Sequence, residues 1–132
     1  MDETLRQLVR NRAALRCEYC HLPEAITEAP FQIDHIIAIK RRGETHSENL
    51  AWSCFYCNSF KGPNLSGWDG LDKSVTRLFH PRTDEWGQHF AWRGARLVGL
   101  TSIGRVTIEV LAINDPEAVE FRKLLLELGV SL

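Results

Sequence analysis

The sequence predicts an α+β fold in which a short strand, loop, strand and helix are clamped by paired cysteines and followed by a C-terminal hairpin and helices. Three observations carry that expectation. The four cysteines of the 132-residue chain fall into two Cys-x-x-Cys pairs, Cys17/Cys20 and Cys54/Cys57. Between them lies a run rich in β-branched residues, Phe31 to Ile39, and the second pair opens a stretch of helical spacing that stops at Gly62-Pro63. Beyond Pro63 no metal-ligand spacing recurs, and hairpin and helix signals alternate to the end.

Each element has its own reason. Residues 3–14 place Leu5, Leu8, Val9 and Leu15 near helical spacing, with Asp2 or Thr4 able to cap the start. The knuckle Cys17–Cys20 turns through His21 and Leu22 to Pro23, which has no amide hydrogen to continue a helix. Phe31, Ile33 and His35 alternate with Gln32 and Asp34, and Ile36, Ile37 and Ile39 extend the run, so a strand is expected there. The segment from Lys40 to Glu48, rich in charge and turn formers, reads as an exposed loop, and Asn49-Leu50-Ala51-Trp52 as a short returning strand. On the helix from Cys54 to Gly62, residues Cys54, Cys57, Asn58 and Lys61 share one side. Asn64 to Gly70 reads as turn, and residues 90–100 as a hairpin with an Arg93-Gly94 tip. Residues 101–113 fit helix and strand spacing equally; Thr101 and Ser102, both good caps, favour helix. Asp115-Pro116 opens a last helix that Gly129 closes.

A hydrophobic fraction of 44% and a charged fraction of 25% describe a soluble globular chain. No stretch approaches the roughly 20 apolar residues of a membrane span, and MDETLRQLVRNR lacks the apolar centre of a signal peptide. The expected location is cytoplasmic. A reducing cytosol disfavours disulfides and leaves four thiols for a tetrahedral zinc ion, whereas a thioredoxin-like redox role leaves the second pair unexplained. Four thiolates fill the shell of zinc, so the ion is structural. A net charge of −1 gives no whole-molecule attraction for polyanions, so any such affinity is local. Lys40, Arg41, Arg42 and Lys61 are the candidates. Arg6, Arg10, Arg12 and Arg16 serve equally well as a solvated face.

Read together, Cys-Glu-Tyr-Cys, then Phe-Gln-Ile-Asp-His-Ile, then Asn-Leu-Ala-Trp-Ser-Cys-Phe-Tyr-Cys-Asn-Ser-Phe-Lys resemble the HNH family of metal-dependent nucleases, in its four-cysteine zinc-binding form. The resemblance covers residues 17 to 61 and implies a zinc-stabilised ββα-metal (His-Me finger) core within residues 1–64, with 65–132 as an accessory α+β region packed on it. It implies that His35 is the general base and that Asp34 and Asn58 hold a catalytic divalent ion, Mg²⁺ or similar. Asn49 then orients the histidine or its loop, and Lys61 adds charge at a phosphate oxygen. Two positions depart from the family pattern: Asn58 stands where many members have His, and Arg42-Gly43 where a glycine pair is frequent. An amide oxygen is a harder donor than imidazole and suits Mg²⁺.

The residue chemistry agrees. Phosphodiester hydrolysis needs a deprotonated water, and imidazole titrates near enough to neutrality to accept its proton. A divalent cation offsets the charge gathered in the transition state. The family resemblance, and no single residue, implies duplex DNA as the partner. The alternative is a non-catalytic zinc-binding module that docks on nucleic acid or protein, which explains the cysteines and the basic loop but not Asp34, His35 and Asn58. Trp52, Phe55, Tyr56 and Phe60 are expected to pack around the knuckle, and His21, His46, His80 and His89 to be structural or surface groups.

Overall fold

The computed structural model describes residues 1–132, which form two compact units. Unit 1 comprises Met1–Asn64 with His80–Thr83; unit 2 comprises Leu65–Phe79 with Asp84–Leu132. The fold is α+β with three separate two-stranded antiparallel sheets. No helix is long and apolar enough to cross a membrane.

In unit 1, α1 (Glu3–Arg12) is capped by the Asp2 carboxylate, which accepts from the Thr4 amide at 3.0 Å. It ends two residues before the expected limit because Ala14 and Leu15 turn left-handed. Val9 is its one buried residue, and Leu8 and Leu15 are exposed. Each of the four arginines around this helix has a partner within the unit. Arg10 pairs with Glu24 at 2.6 Å, Arg6 lies over the Trp52 ring, Arg12 donates to the Ser47 and Leu50 carbonyls, and Arg16 to the His21 carbonyl.

The β-branched run is strand only over β1 (Gln32–His35), which pairs with β2 (Leu50–Ser53) in the register Asp34↔Ala51 and His35↔Leu50. Past His35 the chain leaves the sheet and makes a single 3₁₀ turn over Ile39–Arg41, so Ile37 and Ile39 are exposed. β-Branching favoured a strand there, but no partner strand reaches that far. The helix α2 (Phe55–Lys61) follows β2, with the Cys54 sulfur accepting from the Cys57 amide at its start and Gly62 at φ 49° at its end. Val9, Tyr19, Leu22, Phe31, Leu50 and Trp52 fill the core around the four cysteines.

Unit 2 begins with a hairpin where a plain turn was expected. β3 (Ser66–Asp69) pairs with β4 (Ser74–Arg77), and Gly67 lies close against Val106 and Val110. A short helix α3 (Trp86–His89) precedes β5 (Phe90–Arg93) and β6 (Arg96–Gly99), whose tip is Gly94-Ala95, one residue past the expected turn. Residues 102–110 are helical (α4, Ser102–Val110), with Thr101 Oγ1 accepting from the Gly104 amide at 3.1 Å. The last helix, α5 (Pro116–Glu127), starts at an Asp115 cap, and Gly129 follows it at φ 85°. Leu78, Phe79, Phe90, Leu97, Val106, Leu111, Val119 and Leu125 form this unit's core.

Candidate functional site

The two Cys-x-x-Cys segments are alike in their local hydrogen bonding. In each, the sulfur of the first cysteine accepts from the amide of the second, Cys20 to Cys17 at 3.5 Å and Cys57 to Cys54 at 3.3 Å. The first loop closes through Cys17 N to Leu22 O and His21 N to Cys17 O, with His21 at φ 63°. All four cysteines are buried and their sulfurs lie within 4.8 Å of one another; no other group of three or more His, Cys, Asp or Glu side chains converges in this way. Cys20 Sγ and Cys54 Sγ are 3.8 Å apart. A tetrahedron with metal–sulfur bonds of about 2.3 Å has edges of about 3.8 Å, so the donor set fits zinc in both chemistry and spacing. The sulfurs also crowd charge. Burial raises the Cys17 thiol, yet hydrogen bonds from Cys20, Cys54 and Cys57 outweigh it and bring Cys17 well below its ordinary value, while bonds to Cys17 push Cys20 and Cys57 well above theirs. A divalent cation relieves that conflict by taking the sulfurs as thiolates.

Beside this centre, Asp34 is only 4% exposed. Its Oδ2 accepts from the Tyr19 hydroxyl at 2.6 Å, and its Oδ1 from Lys61 Nζ at 3.2 Å. Burial raises the Asp34 carboxyl above its ordinary range, opposed by the Lys61 charge and by the hydrogen bonds from Tyr19 and Lys61. Tyr19, itself buried and facing that carboxylate, is held well above the usual phenol range and so stays a donor. Lys61, 1% exposed, also donates to the carbonyls of His35 at 3.3 Å and Ile36 at 3.0 Å. This corrects the expectation that Lys61 reaches a phosphate: its ammonium is spent inside the protein, tying α2 to β1 and to the chain that leaves it.

Strand alternation gives Gln32 and Asp34 to the α2 side of β1 and turns His35 the other way. Asn58 Nδ2 donates to Gln32 Oε1, which leaves Asn58 Oδ1 without a hydrogen bond. Thus Asp34 and Asn58 share the β1–α2 interface, and no hydrogen bond or ion pair joins either to His35. Their oxygens suit a hard cation in kind, since a carboxylate has about four acceptor sites and Tyr19 and Lys61 leave some of them open. His35 is partly exposed, and its Nε2 lies 2.9 Å from Thr45 Oγ1.

The loop carrying Thr45 is anchored by Asn49. Asn49 Oδ1 accepts from the Ile37 amide at 2.8 Å, and its Nδ2 donates to Ile37 O at 3.0 Å and Glu44 O at 2.8 Å. Gly43 makes the loop possible, because a Cβ there would lie 1.6 Å from the Ile37 carbonyl oxygen; Arg42, at φ 72°, takes the left-handed turn before it. One glycine therefore suffices for this turn. Lys40, Arg41 and Arg42 stand exposed on this loop with no ion pair. His46 Nδ1 accepts from the Glu48 amide at 3.2 Å and caps the turn before Asn49.

The family model for HNH endonuclease matches residues 17–64, the segment that runs from the first cysteine through β1, β2 and α2. That segment matches the HNH family. No curated protein and no solved structure gives a significant match to the chain. The match supports a nuclease-type function in general, and the four cysteines are arranged as in the zinc-binding subtype. Sequence reasoning missed three of the HNH domain's side chains, Tyr19, Gln32 and Thr45, each of which meets its partner 10 to 26 residues away and so leaves no local spacing signal. Arg82 belongs to the same unit: its guanidinium reaches Glu18 inside the first knuckle, where Glu18 Oε2 holds the Trp52 amide at 2.8 Å. Trp52 is buried as expected; Phe55, Tyr56 and Phe60 are not.

Proposed function

We propose that the HNH domain hydrolyses phosphodiester bonds in DNA, with His35 as general base and a divalent ion, Mg²⁺ or similar, held by Asp34 and Asn58, while zinc on Cys17, Cys20, Cys54 and Cys57 keeps the strands and α2 in register. The observation that carries this reading is the state of His35: a partly exposed imidazole at the end of a strand whose next residue inward is a buried, hydrogen-bonded carboxylate. In the tautomer that donates Nε2–H to Thr45 Oγ1, the Nδ1 lone pair takes the proton of the attacking water. Asn49 performs no bond-making step; its three hydrogen bonds hold the Ile37–Glu44 loop, and so Thr45, in place. Lys61 and Tyr19 orient the Asp34 carboxylate. The divalent ion supplies charge neutralisation at the scissile phosphate. Lys40, Arg41 and Arg42, exposed and unpaired, are the phosphate contacts, and duplex DNA is the substrate. A reducing cytoplasm keeps the thiols available to zinc.

The test is cleavage of supercoiled plasmid by the zinc-loaded protein with Mg²⁺, with and without chelator. Nicked or linear product is expected, and His35→Ala should lose roughly 10²- to 10⁴-fold in rate while remaining folded. Intact plasmid together with a tight band shift would replace this reading with the non-catalytic docking module.

A further inference from the structure

The helix α2 has two faces, and the site uses only one of them. Cys57, Asn58 and Lys61 turn inward, whereas Phe55, Tyr56, Ser59 and Phe60 turn outward along a continuous stripe. Three large aromatic rings lie there at 42%, 55% and 52% exposure, Phe55 and Tyr56 meeting edge to face at 5.6 Å. Trp52, by contrast, is buried in the same segment. The stripe bears no charged residue, and a seven-residue helix is about 10 Å long.

We propose that this stripe is a stacking platform for unpaired bases, so that the DNA duplex this protein cuts carries a single-stranded stretch beside the segment to be cut. The inference rests on the nuclease reading for its choice of ligand and adds to it the substrate class. Size decides between occupants. A stable protein interface needs about 800 Å² from each partner, more than three half-covered rings on a helix two turns long can supply. A base needs one ring face, and stacking of that kind tolerates any sequence because every base has a π-face. Charge agrees: Lys40, Arg41 and Arg42 of the same unit are exposed without ion partners, so the unit offers cations for a backbone as well as rings for bases.

The experiment measures binding of the full chain, zinc-loaded and carrying His35→Ala to prevent cutting, to short fluorescein-labelled oligonucleotides by anisotropy. The probes are a single strand of mixed sequence, its duplex, and an abasic strand of the same length. The expected result is tighter binding of the base-bearing strand than of either the abasic strand or the duplex, and a loss of single-strand affinity of about 5- to 150-fold for each of Phe55→Ala, Tyr56→Ala and Phe60→Ala. Phe60→Leu, which keeps an apolar side chain but removes the ring, should lose as much as Phe60→Ala. Far-ultraviolet circular dichroism and zinc content check that these surface variants fold. Equal affinity for base-bearing and abasic strands, or Phe60→Leu binding like the parent, overturns the platform. Self-association abolished by the same substitutions without change in oligonucleotide affinity also overturns it, in favour of a protein partner. The two readings fail separately: plasmid cleavage with base-indifferent binding removes the platform alone, and base-dependent binding by a protein that cuts nothing removes the nuclease alone.

Discussion

Both units of this chain are built from four-residue strands paired two by two, but they hold those strands in different ways. Unit 1 gathers β1, β2 and α2 around four sulfurs, and the side of β1 that faces α2 carries Gln32 and Asp34. Unit 2 has no such centre: Leu78, Phe79 and apolar residues of β5, β6, α4 and α5 make its core, and the buried Asp69, Thr107 and Arg122 close backbone or ionic bonds there. Thr107 Oγ1 accepts from the Phe79 amide, Asp69 pairs with Arg105, and Arg122 donates to the Ala95 and Ile113 carbonyls while lying over Trp92. The contrast shows what a metal on the four sulfurs would add. Where a strand faces its helix with an amide and a carboxylate, coordination would supplement the apolar core of Val9, Tyr19, Leu22, Phe31, Leu50 and Trp52 and leave that polar face available.

The strongest way to break that contrast is to remove the metal. A structural zinc contributes an apparent ~10 to 16 kcal/mol to folding in peptide-sized sites, so chelation should unfold unit 1 outright. Hydrogen exchange should show the amides of β1, β2 and α2 losing protection while those of α4 and α5 keep it. Equal loss in both would mean that unit 2 has no independent core. Next in size is Lys61→Met. It strands the Asp34 carboxylate in the interior, at a cost of about 3 to 5 kcal/mol in urea unfolding of the zinc-bound protein, because breaking a buried pair leaves an uncompensated charge. A loss below about 1 kcal/mol, the range of exposed pairs, would show that the network is solvated.

Arg122→Met sharpens the same comparison on the other side. It leaves the Ala95 and Ile113 carbonyls unpaired, for an expected loss of about 2 to 4 kcal/mol that is confined to unit 2, again read by urea unfolding. The smallest effect is acid-dependent. Hydrogen bonds from Arg105, then from Ser102 and the Leu71 amide, hold the Asp69 carboxyl well below the ordinary range against its own burial. A carboxyl depressed in the folded state contributes stability that is whole above its unfolded pKa, about 3.9, and is lost as pH falls below it. Asp69→Asn should therefore weaken unit 2 at neutral pH and flatten its further loss below about pH 4. An unchanged acid limb in a thermal melting series would show that another carboxyl governs it.

Local chemistry made much of the fold legible. The cysteine spacing, the Asp2, Thr101 and Asp115 caps, and the Gly62 and Gly129 stops all act within a few residues, and each did what its residue type requires. The errors share a cause as well. The strand was read too long because β-branching describes a residue and pairing describes a neighbour. The hairpin of β3 and β4 was missed because glycine and serine weaken the strand signal, while Gly67 is needed there for close approach to Val106 and Val110.

By itself the sequence determined the candidates: four thiols at metal spacing, an Asp-His step and an asparagine on the helix behind them. Only the tertiary structure decided what each side chain is free to do. It turned Lys61 inward onto Asp34, engaged the N-terminal arginines, and left three rings of α2 uncovered. The reason is that availability depends on partners far away in the chain: a hydrogen bond from Tyr19 to Asp34 or from Lys61 to Ile36 has no periodicity, and burial belongs to the neighbourhood and not to the residue.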